Sequence, residues 1–143
     1  MEYRVLGRTG VRVSALALGT ANFADPTPED AARQILERAI EAGINLIDSG
    51  DSYGKGEAER IIGRALKRSG LRKQVLLTTK VFPPTGPGPN DRGNSRLHVV
   101  RACEEWLEQH CCERGALAAA GLEQSSRSRT RLIVRINNRS FIS

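Results

Sequence analysis

The stretch GINLIDSGDSYGKGEAERIIGRALKRSG, residues 43–70, contains one complete strand–loop–helix unit. Its apolar residues from Ile44 to Ile47 predict a short strand that stops at Asp48. After a polar loop, apolar residues recur at helical spacing and predict an amphipathic helix: Ala58, Ile61, Ile62, Ala65 and Leu66. Ser69-Gly70 is a typical helix end. A strand that leads into a helix in this way is the building block of a parallel α/β sheet.

Similar units lie on both sides of this stretch. The apolar run Ala15 to Leu18 predicts a strand buried on both faces, and Thr27 as N-cap followed by Pro28 predicts the start of a helix. Residues 74–81 predict a third strand, and Ser95 is a suitable cap for a third helix. The strand starts are roughly 30 residues apart, the size of one βαβ repeat.

Two further segments frame these units. Residues 3–6 and 11–13 flank the turn-rich Gly7-Arg8-Thr9-Gly10, which predicts a short hairpin. Residues 82–94, FPPTGPGPNDRGN, hold four of the six prolines and predict a long loop that is neither helix nor ladder strand.

Composition narrows the class of protein. The chain has 143 residues, a formal net charge of +6, 39% hydrophobic and 27% charged residues, which is typical of a globular domain. It has no apolar run of the ~18–20 residues that a membrane helix needs, and no secretory signal, so we expect a cytoplasmic protein without membrane contact. Three cysteines cannot close a disulfide framework. The charge is uneven: +2 over residues 1–110 and +4 over residues 111–143.

Functional side chains of parallel sheets gather at the carboxyl ends of the strands. Three such places are residues 19–22, residues 48–53 and Lys80. Together they supply a carboxylate, a phenol and an amine, which suits proton transfer. The reference pKa of tyrosine is near 10, and an ammonium ~4 Å away at an effective dielectric near 20 favours the phenolate by roughly 4 kcal/mol.

Four blocks of this sequence closely resemble the aldo-keto reductases, in order and in spacing: LGRTGVRVSALALGT, GINLIDSGDSYGKGEAERIIGRALK, VLLTTKV and NSRLHVVRACEEWL. That family is an eight-stranded (β/α)8 TIM barrel whose members reduce carbonyls to alcohols with NADPH. The resemblance therefore implies an NADP-dependent oxidoreductase that acts on a small-molecule aldehyde or ketone.

The resemblance also implies roles for individual residues. Tyr53 matches the family's proton-donating tyrosine, and Lys80 matches the lysine that lowers the pKa of that tyrosine. Asp48 matches the aspartate that pairs with this lysine and touches the nicotinamide-side ribose. The loop that contacts the nicotinamide end of the cofactor matches Gly19, Thr20 and Ala21.

The resemblance covers residues 1–109, which implies the hairpin and about three βα units of the barrel. The family's catalytic histidine has no match, because His98 lies inside the third predicted helix and His110 at its end. We expect residues 110–143 to be a non-homologous basic tail, frameshifted or disordered. We also expect the truncated chain to be inactive alone and to self-associate through exposed strand edges.

The same residues leave other interpretations open. The chain could be a non-catalytic partner-binding fragment. The tail, with SSRSRTR at residues 125–131, could bind nucleic acid, but it lacks interleaved aromatic residues, which favours a solvated tail. Gly54-Lys55-Gly56 begins a dinucleotide fingerprint that fails at Glu59.

Metal binding has little support in the sequence. The four acids Asp48, Asp51, Glu57 and Glu59 do not follow a calcium-loop pattern, and we interpret them as solvated loop charge and helix N-terminal acids. His110-Cys111-Cys112 has no distant second pair of ligands. We therefore predict no metal site.

Overall fold

The computed structural model describes residues 1–109, 133–136 and 139–142 of a mixed α/β chain. The strands are β1 (Tyr3–Val5), β2 (Arg12–Ser14), β3 (Leu18–Gly19), β4 (Leu46–Asp48), β5 (Leu76–Thr78), β6 (Ile133–Ile136) and β7 (Arg139–Ile142). The helices are α1 (Glu29–Glu41), α2 (Glu57–Ser69) and α3 (Arg96–Gln109). Short 3-10 turns cover Tyr53–Gly56 and Leu71–Gln74. Residues 82–94 contain no helix or strand, as predicted.

The predicted N-terminal hairpin is confirmed, since β1 and β2 pair antiparallel with Tyr3 opposite Ser14. The hairpin is tied to the segment before β4. The Tyr3 hydroxyl donates to the Gly43 carbonyl at 2.9 Å, and the Asn45 side-chain oxygen accepts from the Ser14 N–H at 2.7 Å. The Asn45 amide also donates to the Arg12 carbonyl at 3.0 Å. These bonds hold the hairpin against the amino-terminal end of β4.

The central sheet is parallel, in the order β3-β4-β5, as the repeated strand–helix pattern predicts. Leu46 lies opposite Leu76, and Asp48 lies opposite Thr78. The hydrogen bonding continues past the strands, because the Asp51 N–H donates to the Lys80 carbonyl at 3.1 Å. The loop after β4 therefore stays in register with the chain after β5.

The first predicted strand is shorter than expected and is not buried on both faces. Ala15 and Leu16 form an exposed bend, with Leu16 62% exposed, and only Leu18 and Gly19 pair with β4. The bend is stabilised locally, because the Ser14 hydroxyl donates to the Leu16 carbonyl at 2.6 Å. An apolar run is consistent with a buried strand, but here it connects the hairpin to the sheet.

The start of α1 also differs from the prediction. Pro28, not Thr27, is the N-cap, and its carbonyl accepts from the Ala32 N–H at 2.9 Å. Thr27 lies in the preceding loop, where its carbonyl accepts from the Ala24 N–H at 2.8 Å. Proline lacks an N–H that would need a helical partner, so it is well tolerated at a helix start.

The ends of the other two helices follow the sequence closely. α2 ends at Gly70, which adopts a left-handed φ of 71°. α3 begins after Ser95, whose hydroxyl accepts from the His98 N–H at 3.1 Å, so this predicted cap is confirmed.

The core lies between the sheet and the helices. Ile47 and Leu77 are almost fully buried at the centre of β4 and β5, while their strand neighbours point to the opposite, half-buried face. The helices contribute these buried side chains: Ala32, Leu36, Ala58, Ile61, Ile62, Ala65, Leu66 and Trp106. At the surface, Arg64 of α2 makes a bidentate pair with Glu29 of α1, with both N···O distances at 2.8 Å.

At the carboxyl end, β6 and β7 form a second antiparallel hairpin, with Ile133 opposite Ile142. The sequence predicts only a short β-like run there, from Leu132 to Ile136. The predictions for residues 110–132, including the basic stretch 125–131, lie outside the described residues. None of the helices in the described part combines the length and apolar character needed to cross a membrane.

The open sheet leads to a testable expectation. Within the described part, β3 and β5 each have a strand neighbour on one side only, and Leu16 and Phe82 are exposed near these edges. Unpaired edges bind other strands. We expect the 143-residue chain to sediment as concentration-dependent oligomers in analytical ultracentrifugation. A single monomeric species at every micromolar concentration would contradict this.

Candidate active site

The predicted carboxylate and amine meet at the carboxyl ends of β4 and β5. The Lys80 ammonium donates to the Asp48 carboxylate at 2.5 Å and to the Ser49 carbonyl at 2.8 Å. The other Asp48 oxygen accepts from the Thr78 hydroxyl at 2.8 Å. Both charged side chains are partly accessible, at 38% for Asp48 and 25% for Lys80. Asp48 therefore holds the ammonium in position while leaving the pair reachable from solvent.

Tyr53 lies beside this pair. Its ring packs on Gly50, where a Cβ atom would come within 3.2 Å of two ring carbons. The Lys80 nitrogen is 5.2 Å from the ring centroid, within the range of a cation–π contact. The backbone N–H of Tyr53 donates to the Gly50 carbonyl at 3.0 Å. The structure thus brings together the three residues that the sequence singled out.

The turn after Tyr53 depends on left-handed backbone. Gly54, Lys55 and Gly56 have φ values of 54°, 57° and 85°. At Gly54 a Cβ would lie 2.9 Å from the Ala24 side chain, so this position also needs glycine for space. Left-handed backbone is favourable for glycine and costly for other residues. This turn connects Tyr53 directly to the start of α2.

The residues predicted to contact the cofactor lie on the same edge but differ in accessibility. Gly19 and Ala21 are exposed, and a Cβ at Gly19 would meet no atom within 4 Å. Thr20 is fully buried, and both its N–H and its hydroxyl donate to the Asp48 carbonyl at 3.0 Å. Thr20 therefore supports Asp48. The predicted contacts of Gly19, Thr20, Ala21 and Asp48 with a nicotinamide cofactor stay predictions.

Glu59 lies in the first turn of α2, as expected of a helix N-terminal acid, but it is buried rather than solvated. The interpretation of Asp51 as solvated loop charge was wrong, because its carboxylate is enclosed although the residue is half-buried. Glu59 is 3% exposed and accepts a hydrogen bond from the Thr79 hydroxyl at 2.5 Å. Burial raises the pKa of Glu59 to about 7. Burial also raises the pKa of Asp51 to about 6, and both of its carboxylate oxygens are inaccessible. Glu57, by contrast, is accessible and pairs with Arg64 and Arg60, as expected of a helix N-terminal acid.

A signal in the sequence could have identified Glu59. It precedes Ile62 by three residues and Leu66 by seven, which places it on the apolar face of α2. Asp51 has no comparable signal, because it lies in a polar loop where no periodic pattern marks a buried position.

The described residues contain no group of three or more His, Cys, Asp or Glu side chains placed to hold a metal ion. The candidate ligands at residues 110–112 lie outside the described part.

Comparison with known proteins identifies the family of this chain. The sequence model of the Aldo/keto reductase family matches residues 15–112. The chain belongs to the aldo/keto reductase family. One of its relatives is named as an oxidoreductase.

Three relatives illustrate the range of the family. An uncharacterized oxidoreductase of Bacillus subtilis, YrpG, is 42% identical over 71% of this chain. Proteins named probable voltage-gated potassium channel subunit beta are 36% identical in Arabidopsis thaliana and 40% identical in Oryza sativa subsp. japonica, each over 76% of this chain. The chain spans about a third of the length of these relatives, from 33% to 34%.

The burial of Glu59 can be tested through the pH dependence of stability, because burial raises the pKa of this side chain. The folded state holds this proton more tightly than the unfolded chain, whose pKa is near 4.5, so stability from Glu59 is present in acid and lost as the pH rises through 7. In Glu59→Gln the side-chain amide oxygen can still accept the hydrogen bond from Thr79, but the side chain no longer gains or loses a proton. We expect the urea midpoint of the Gln variant to be less pH-dependent, with wild type losing about 2 kcal/mol more between about pH 5 and about pH 8.

Glu57→Gln is the matched control, since this accessible glutamate begins the same helix, two positions before Glu59. Its variant should follow the wild-type pH dependence over the same range. Parallel pH dependence of wild type and Glu59→Gln would contradict the burial of Glu59 as a protonated acid.

Proposed function

We propose that this chain is the amino-terminal part of a (β/α)8-barrel reductase that uses NADPH to convert an aldehyde or ketone to an alcohol. The observation that carries the proposal is the Lys80 ammonium, which contacts the Asp48 carboxylate and lies 5.2 Å from the centroid of the Tyr53 ring. Membership of the aldo/keto reductase family supports the reaction class.

In this proposal Tyr53 is the proton donor. Its hydroxyl protonates the carbonyl oxygen of the substrate, and the nearby Lys80 ammonium stabilises the phenolate that remains. Asp48 holds the ammonium in place through the 2.5 Å contact. Bound NADPH would supply the hydride for the carbonyl carbon. Exclusion of water around the phenol in a completed barrel would strengthen each of these electrostatic interactions.

The same edge would receive the cofactor. Asp48 is accessible enough to accept a hydrogen bond from the ribose, and the open space at Gly19 and Ala21 leaves room for the nicotinamide ring. These residues account for one end of the cofactor. The pyrophosphate and adenosine end would be held by later strands of the barrel, as would most of the substrate.

We therefore propose that turnover requires the sheet to be completed. A barrel of this type comprises roughly 250 residues, and the described central sheet has three strands. Completion would cover the half-buried face of β4 and β5 and enclose the phenol. The chain alone should then consume no NADPH.

The test compares the chain alone with a fusion to the part of the Bacillus subtilis relative that follows its matched region. The fusion should oxidise NADPH in the presence of a reactive aldehyde, and Tyr53→Phe should lower kcat at least about 100-fold, because the proton donor is lost. Absorbance at the NADPH band measures the rate, and circular dichroism verifies that each variant folds.

Tyr3→Phe is the control. The hydroxyl of this second tyrosine donates to the Gly43 carbonyl, outside the proposed site, so the variant should leave kcat unchanged. A folded fusion whose turnover survives Tyr53→Phe would overturn the assignment of the proton donor. Turnover by the chain alone at the rate of the fusion would overturn the requirement for a completed sheet.

A second candidate is a non-catalytic subunit that binds a partner protein, since two of the relatives are named as probable potassium channel subunits. A folded fusion that binds NADPH, measured by cofactor fluorescence, yet reduces no carbonyl would favour it.

A further inference from the structure

A buried polar pair joins α2 to the chain that carries Lys80. The Thr79 hydroxyl donates to the Glu59 carboxylate at 2.5 Å, and the two residues are 2% and 3% exposed. The flanking residues Ala58 and Val81 are buried as well. Burial of a carboxyl group is unfavourable, and an apolar residue at position 59 would avoid that cost. The pair therefore indicates a requirement for a specific geometry at this place.

The side chains at the end of β5 contact two different partners in turn. Thr78 and Lys80 both contact the Asp48 carboxylate, through a hydroxyl at 2.8 Å and an ammonium at 2.5 Å. Thr79, between them, contacts Glu59 instead. Successive side chains of a strand point to opposite faces, and these contacts show that the alternation continues through Lys80. A displacement of Thr79 would therefore move Lys80 with it.

Lys80 lies beyond the regular pairing of β5, which ends at Thr78. Backbone hydrogen bonds from the loop after β4 reach this segment. The Ser49 N–H donates to the Thr78 carbonyl at 2.8 Å, and the Asp51 N–H donates to the Lys80 carbonyl at 3.1 Å. Glu59 adds a bond from a helix. The segment is thus tied to the loop by its backbone and to α2 by a side chain.

We propose that Glu59 is a positioning residue, which acts through the Thr79 hydroxyl to hold the Lys80 ammonium at the Asp48 carboxylate. The inference rests on the proposed function, because Lys80 belongs to the site assigned there. Glu59 itself is assigned no contact with substrate or cofactor, since it is buried and bonded to Thr79.

Lysine acetylation of the full 143-residue chain tests the link without any activity. Acetic anhydride attacks the free amine, so a lysine whose proton is held by charge-assisted hydrogen bonds reacts slowly. Lys73 is exposed and serves as the internal reference in peptide mass spectrometry. Thr79→Val removes the donor at nearly constant volume. We expect this variant to accelerate the acetylation of Lys80 relative to Lys73 about fivefold, which corresponds to the loss of one hydrogen bond.

Conservative variants separate the hydrogen bond from a general loss of stability. Thr79→Ser keeps the hydroxyl and Glu59→Gln keeps a side-chain oxygen, so both should acetylate at Lys80 at the wild-type rate. Glu59→Ala should behave like Thr79→Val, and the double variant should react no faster than either single variant.

Two further variants of α2 are matched controls. Ile62→Val removes a methylene group from the buried face of this helix and leaves its polar groups intact. Glu57→Ala removes an accessible acid from the same helix turn. Neither change should alter the acetylation rate of Lys80.

The fusion that completes the barrel links this contact to the proposed reaction. There Thr79→Val should lower kcat about tenfold and leave the KM for the aldehyde unchanged, because a displaced ammonium stabilises the phenolate less well. Thr79→Ser should restore kcat. If acetylation of Lys80 responds as expected in a fusion without Tyr53-dependent turnover, the link is supported and the proposed function is contradicted.

Two results would overturn the proposal. One is wild-type acetylation of Lys80 in folded Thr79→Val, and the other is an additive increase in the double variant. Circular dichroism verifies that each variant is folded. If Glu59→Ala unfolds, the comparison of Thr79→Val with Thr79→Ser decides the outcome.

Discussion

Asp48 lies opposite Thr78 in the parallel pairing of β4 with β5, and this register brings the Lys80 ammonium to the Asp48 carboxylate. The pairing continues through the loop, because the Asp51 N–H reaches the Lys80 carbonyl. A slip of one residue would send the acid and the amine to opposite faces of the sheet. The site therefore depends on strand register, and the register depends on the burial of Ile47 and Leu77 under the helices.

The position of the Tyr53 ring depends on a different constraint, the absence of a side chain at Gly50. Its ring rests where a side chain at position 50 would lie, and the following turn needs left-handed backbone at Gly54 and Gly56. The Tyr53 ring also packs against the hydrophobic core. Two acids lie close to it in sequence: Asp51, whose carboxylate oxygens are inaccessible, and Glu59, which is buried on the helix that follows.

The grouping of Asp48, Tyr53 and Lys80 could be predicted because it follows from local pattern and topology. A strand that ends in Asp48, a loop that contains Tyr53 and a strand that leads to Lys80 must converge at one edge of a parallel sheet. The buried cluster could not be predicted in full. Asp51 is polar in a polar loop, and the inaccessibility of its carboxylate oxygens arises only in the folded chain. The bend that begins at Ala15 escaped prediction for a related reason, because an apolar run does not reveal whether a partner strand will flank it.

The sequence by itself determined the alternation of strands and helices, the caps at Ser95 and Gly70, the family and the identity of the three groups at the strand ends. These depend on periodicity, capping and spacing, which act over a few residues. Tertiary structure alone decided that Thr20 supports Asp48, that Glu59 and Asp51 hold their protons more tightly, and that α1 begins after Pro28. Desolvation and hydrogen bonding between distant segments exist only once the chain is folded, so no local pattern encodes them.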